Sequence, residues 1–119
     1  MTQDLDLLTK AGFNTAEAMG RLGGNQKLYL SILSRFQEQY INLPATLNDN
    51  LANGKLEDIA LQAHTVKGLA GSIGHSELQA AALALEQAAK QNSASIKDIL
   101  QSFAQVLTKV ITALQQPES

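Results

Sequence analysis

Apolar residues recur at three- and four-residue steps along almost the whole chain, the spacing that places them on one face of an α-helix. Few breakers interrupt the pattern, with two prolines and eight glycines in all. Asn14 followed by Glu17 is a cap signal for a short helix over about 15 to 22, closed by Gly23-Gly24. Asn25 caps the next segment, where Leu28, Ile32, Phe36, Tyr40, Leu43, Leu47 and Leu51 share one stripe. This predicts a long helix over about 26 to 51, kinked at Pro44 because the ring lacks a backbone donor and crowds the preceding turn. Asn53-Gly54 is a turn, and Leu56, Ile59, Ala63, Val66, Ala70 and Ile73 mark a helix ending at Gly74.

Ser76 with Gln79 reads as a capping box that opens a further helix, with Leu78, Ala81, Ala82, Leu85, Ala88 and Ala89 inward. Ser95 with Asp98 repeats that logic, and Ile96, Ile99, Phe103, Leu107, Val110 and Leu114 define a last helix that stops before Pro117. Four long helices on short loops predict an all-α fold, an antiparallel up-and-down four-helix bundle with a short additional N-terminal helix. Residues 1–119 form one domain in this reading, with a core over about 13 to 115.

Charge narrows the function. Nine Lys and Arg against eleven Asp and Glu give a net charge of -2, which lacks the basic footprint that holds nucleic-acid phosphates. Without cysteine there is no disulfide framework and no thiolate metal site. No apolar run approaches the roughly 20 residues that span a bilayer, and Met1-Thr2-Gln3-Asp4 lacks a basic signal-peptide start. The expectation is a cytoplasmic monomer with no nucleic-acid partner and no direct membrane contact.

The chemistry concentrates at Ala63-His64-Thr65-Val66-Lys67-Gly68-Leu69-Ala70-Gly71-Ser72-Ile73-Gly74. At 100° per residue His64 falls about 130° from the centre of its helix's apolar stripe, so the imidazole faces solvent. A neutral exposed imidazole keeps one ring nitrogen with a free lone pair. Lys67, Gly68 and Gly71 lie on the same flank, giving the histidine one cation and bare backbone as neighbours. Each interior glycine costs about 0.5–1 kcal/mol relative to alanine, and neither Gly68 nor Gly71 points at the stripe's centre. A demand other than core packing is expected to require them.

The string His64-x-x-Lys67-Gly68-x-x-Gly71-x-x-Gly74 resembles the signature of histidine phosphotransfer domains, four-helix modules that relay a phosphoryl group between receiver domains in two-component signalling. The resemblance covers Phe13 to about Leu114 and includes Gly23-Gly24-Asn25 before the long second helix. It implies that His64 is the phosphoacceptor and that Lys67 stabilises the phosphoryl oxygens. Gly68 and Gly71 would then clear the face on which a receiver's recessed acidic pocket docks. Response-regulator receivers would be the partners, contributing the aspartate and a Mg²⁺ ion, and this chain would hold no cofactor and no metal of its own.

Gln79, Leu83, Glu86 and Lys90 form a flank that the bundle could bring against His64. The phosphotransfer domain of bacterial chemotaxis kinases has a glutamate at this spacing after its histidine, which makes Glu86 an orienting carboxylate for the imidazole. The plainer alternative is a solvated glutamate pairing with Lys90 one turn on. Leu61 and Leu83 point away from their stripes, either as isolated exposed leucines or as a docking patch beside His64. His75, just past the helix end, reads as a solvated loop residue.

The glycines after Lys67 are no nucleotide loop, since a P-loop places its lysine after the glycines and needs a preceding strand. A di-iron bundle needs glutamates where Leu61 and Ser72 stand. Neither ATPase activity nor autophosphorylation is therefore expected. The resemblance fits the C-terminal module of a hybrid sensor histidine kinase, tethered to the inner membrane through its parent, because the sequence stops just after the final helix. A free-standing relay, a chemotaxis-kinase-type domain and a non-catalytic helical adaptor are the alternatives.

Overall fold

The computed structural model describes residues 5–115, and they are all-helical. Seven helices follow one another: α1 Leu5–Lys10, α2 Thr15–Arg21, α3 Gln26–Tyr40, α4 Leu43–Ala52, α5 Leu56–Ile73, α6 Ser76–Lys90 and α7 Ile96–Leu114. Met1 to Asp4 and Pro117, both used in the sequence reading, lie outside the described residues. The caps of the first expected helices are as read. Asn14 accepts from the Glu17 amide at 3.1 Å, and Asn25 from the Leu28 amide at 3.0 Å.

Five expectations are corrected. The long helix over 26 to 51 is two helices, α3 and α4, parted at Ile41 and Asn42. Pro44 sits in the first turn of α4, where its missing N–H has no intrahelical partner to lose, so it starts a helix instead of kinking one. The buried face of α3 is Tyr29, Leu33, Phe36 and Tyr40, and Leu28 is left exposed. A helix at Leu5–Lys10 was not anticipated; Leu8 plugs it into the core.

The fourth correction concerns the end of α5. His75, not Ser76, caps α6: its Nδ1 accepts the Leu78 amide at 3.1 Å. The ring is buried at 2 % exposure, so the solvated-loop reading fails. Likewise Ser95 makes no side-chain cap to α7.

α5 and α6 share the most extensive contact in the molecule, and α6 with α7 the next. The α5–α6 turn is only Gly74 and His75, and cross-contacts pair His64 with Glu86 and Gly71 with Gln79, so the two helices run antiparallel. Ala82, Ala88 and Ala89 are buried on α6 and Ala60, Ala63 and Ala70 on α5, small side chains that let the two backbones approach.

The N-terminal segment is tied to this turn. His75 Nε2 donates to the Ala11 carbonyl at 3.0 Å, its ring packs edge-on to Phe13, and an isolated bridge joins Phe13 to His75. Gly74, with φ +84°, brings its backbone so close to Asn14 that a Cβ would lie 2.6 Å from the Asn14 carbonyl oxygen. The Asn14 amide in turn donates to the Gly74 carbonyl at 2.7 Å. Arg21 of α2 reaches the last turn of α5, where its guanidinium donates to the Gly71 carbonyl at 2.6 Å and to the Ser72 carbonyl at 3.3 Å. Tyr29 of α3 donates to the Ile73 carbonyl at 2.8 Å, and burial pushes its phenol up to about 12. Together these contacts satisfy carbonyls that a helix end leaves without partners.

Candidate functional site

Periodicity decides where His64 points. Ile59, Ala63, Val66, Ala70 and Ile73 are buried, which turns the intervening flank of α5 outward. The His64 side chain retains 62 % of its exposure. Its Nδ1 lies 2.9 Å from Glu86 Oε2, and its Nε2 makes no hydrogen bond among the described residues.

Glu86 is on the edge of the α6 stripe, beside Leu85 and Ala89, and is buried despite its charge. Three groups satisfy it. Lys67 Nζ donates to Oε1 at 2.7 Å, while Lys90 Nζ lies 3.0 Å from Oε2, the oxygen that also meets His64. The hydrogen bonds from Lys67 and then Lys90 hold the carboxyl down at about 2, with His64 adding to them and burial opposing. Glu86 is therefore an ionised acceptor at neutral pH. An ionised carboxylate only accepts, so Nδ1 of His64 carries the proton and the neutral ring's lone pair is on Nε2, on the open side.

The structure thus brings together His64, Lys67 and Glu86. Of the two readings of Glu86 it removes the solvated one, although the pair with Lys90 is present as well. Lys67 contacts the carboxylate and keeps partial exposure one turn along α5 from the imidazole.

The glycines differ. Among the described residues, and apart from its own helix backbone, a Cβ on Gly68 would meet no atom within 4 Å, so no packing neighbour there calls for glycine. A Cβ on Gly71 would come within 2.7 Å of the Gln79 side-chain nitrogen, the far end of a flexible exposed side chain that can move aside. Leu61 and Leu83 are exposed, at 65 % and 41 %. In the antiparallel register Leu61 lies on one side of His64 along the hairpin and Leu83 on the other, toward the turn, so the two leucines flank the imidazole.

The pair of Lys90 with Glu86 was readable from the sequence, whereas the contacts of Arg21 were concealed. For Lys90 the signal was its i+4 spacing from Glu86; for Arg21 only a basic residue in the last turn of α2. Among the described residues no three His, Asp or Glu side chains gather where they could hold a metal ion, and no helix is long and apolar enough to cross a membrane.

Comparison with family models matches residues 31–117 to the Hpt domain. Comparisons with curated proteins and with solved structures found no match.

Proposed function

Because the chain belongs to the Hpt domain family, we propose that His64 is its phosphoacceptor and that residues 1–119 are one phosphotransfer module, its long helices running up and down as an antiparallel four-helix bundle with α2 as the short additional helix. The observation that carries the assignment is the division of labour on one ring: Nδ1 is held by a buried carboxylate, and Nε2 is open to solvent.

The proposed reaction requires no proton to move on this chain. The Nε2 lone pair attacks the phosphorus of a receiver's aspartyl phosphate, the bond from phosphorus to the carboxyl oxygen breaks, and its electrons return to the aspartate as carboxylate. The ring keeps its Nδ1 proton and becomes positive, and Glu86 accepts a hydrogen bond that strengthens as this charge develops. Lys67 places a cation beside the phosphoryl oxygens, whose charge is spread in a loose transition state. Running the same step backward onto a second receiver's aspartate completes the relay. The receivers would supply Mg²⁺ and most catalytic groups, and this chain no ATP site. Gly68 clears the approach, and Leu61 and Leu83 offer apolar contacts at either side.

In the cell this module is proposed to act in the cytoplasm as a monomer, as the C-terminal part of a hybrid sensor kinase. The Glu86–His64 contact also favours a second reading, in which a kinase's ATP-binding domain is the donor, as in the chemotaxis-kinase type that the spacing resembles.

The test is incubation with a phosphorylated receiver. Wild-type protein should gain acid-labile label and His64→Gln none, with the melting temperature nearly unchanged because the side chain is exposed. Label retained on His64→Gln would overturn the assignment, and a helical adaptor would take no label at all. Labelling by a histidine kinase's catalytic domain but by no receiver would select the second reading.

A further inference from the structure

The charges around Glu86 do not balance in pairs. Lys67 alone would neutralise the carboxylate, yet Lys90 occupies it as well, on the oxygen that His64 uses. α5 brings His64 and Lys67 to this carboxylate, and α6 brings Lys90. Lys90 Nζ and His64 Nδ1 are no more than about 6 Å apart, since each lies within 3.0 Å of the same Oε2.

A carboxylate that orients an imidazole also attracts a second proton to it. The doubly protonated ring has no lone pair and cannot attack phosphorus. The hydrogen bond from Nδ1 therefore serves the reaction only if something opposes that second proton. With two lysines in place the cluster already carries a net positive charge, and an imidazolium would make a third cation around one carboxylate.

We propose that Lys90 is a positioning residue that offsets the charge of Glu86, so that the bond orienting His64 does not also convert its ring to the unreactive imidazolium. The proposal rests on the reading of His64 as phosphoacceptor. Lys90 is suited to this role because it acts through Oε2 without standing between Nε2 and an incoming donor: it follows Glu86 by one turn of α6, on the side of His64 opposite to Lys67 and the glycines. Its side chain is 64 % exposed, so replacing it leaves the core intact.

A unit charge about 6 Å away across a partly solvated gap moves a titration by about half to one pH unit. The experiment is labelling with phosphoramidate, a small donor that needs no docking, from pH 5.5 to 9 on wild type, Lys90→Gln, Lys90→Arg and His64→Gln. The ratio of Lys90→Gln to wild-type rate cancels the donor's own ionisation. It should be near one at pH 9 and fall about three- to tenfold at the acid end, with Lys90→Arg restoring the wild-type profile. The ring titration of His64 followed by NMR should move up in step, and added salt should shrink the difference.

A ratio of one at every pH would overturn the proposal. So would an equal loss at every pH, which would place Lys90 on the transferring phosphoryl group or in folding instead. Either result, with His64→Gln unlabelled, leaves the phosphoacceptor reading intact. Labelling of His64→Gln at the wild-type rate overturns both.

Discussion

Gly68 and His64 lie one helical turn apart on the exposed flank of α5, and a methyl group added at Gly68 would meet no atom within 4 Å among the described residues beyond its own helix backbone. A mid-helix glycine with no packing neighbour costs stability, and the proposed approach of a receiver is what would give it a use. Substitution there should separate folding from function. Gly68→Gln should keep or raise the melting temperature, by up to about 1 kcal/mol of helix propensity, yet lose most labelling by a phosphorylated receiver while phosphoramidate still labels His64. Thermal melts and both labelling reactions check this. Unfolding of Gly68→Gln with normal transfer in the folded fraction would place the glycine in packing.

Glu86 predicts a pH dependence of stability. Its carboxyl is held at about 2 in the folded protein, below the ordinary 4.5, so its interactions stabilise the fold fully above about pH 4.5 and are lost as the pH falls through this window toward 2. Glu86→Gln cannot ionise. Its melting temperature should be lower than wild type at pH 7, and should decline less steeply between pH 4.5 and 2. Melts across that range provide the measurement, and parallel slopes for the two proteins would show that Glu86 is not the group titrating.

His75 should act on folding alone. His75→Ala leaves the Leu78 amide and the Ala11 carbonyl without their ring partners and opens a gap beside Phe13. The expected cost is about 2–4 kcal/mol, a fall in melting temperature of about 10 °C. Transfer per folded molecule should be unchanged, because the ring sits at the hairpin's turn, away from the His64–Glu86 contact. A stable variant that transfers poorly would reverse this division between the two histidines.

What the chain disclosed of itself follows from the range of each signal. His64 could be placed on an exposed flank because helical periodicity fixes its direction. Glu86 was picked out by a spacing that resembles the chemotaxis-kinase type and was left level with a solvated pair to Lys90, since the register across the two-residue turn between α5 and α6 is set only in the folded hairpin. His75 was misread because it follows Gly74 at a helix end, where periodicity stops, and its partners are Ala11 and Phe13, far back in the chain. The break between α3 and α4 was read as a kink within one helix, because Pro44 is compatible both with a kink and with a helix's first turn. The same ambiguity put Leu28 on the stripe, when Tyr29 and Leu33 complete the spacing with Phe36 and Tyr40. At Gly71 a side chain from the next helix, Gln79, lies across the flank, a neighbour that no single-helix projection contains.

The hydrogen bond from His75 to Ala11 also has a meaning for how the chain comes together. It closes a loop of 64 residues, against 22 for the contact between His64 and Glu86. Loop-closure entropy rises by about 0.6 kcal/mol per doubling, so the longer closure costs about 1 kcal/mol more. The His64–Glu86 contact thus belongs to the locally closed half of the topology, within a hairpin whose own short turn sets its register, while the N-terminal helices are joined to it across the longer loop.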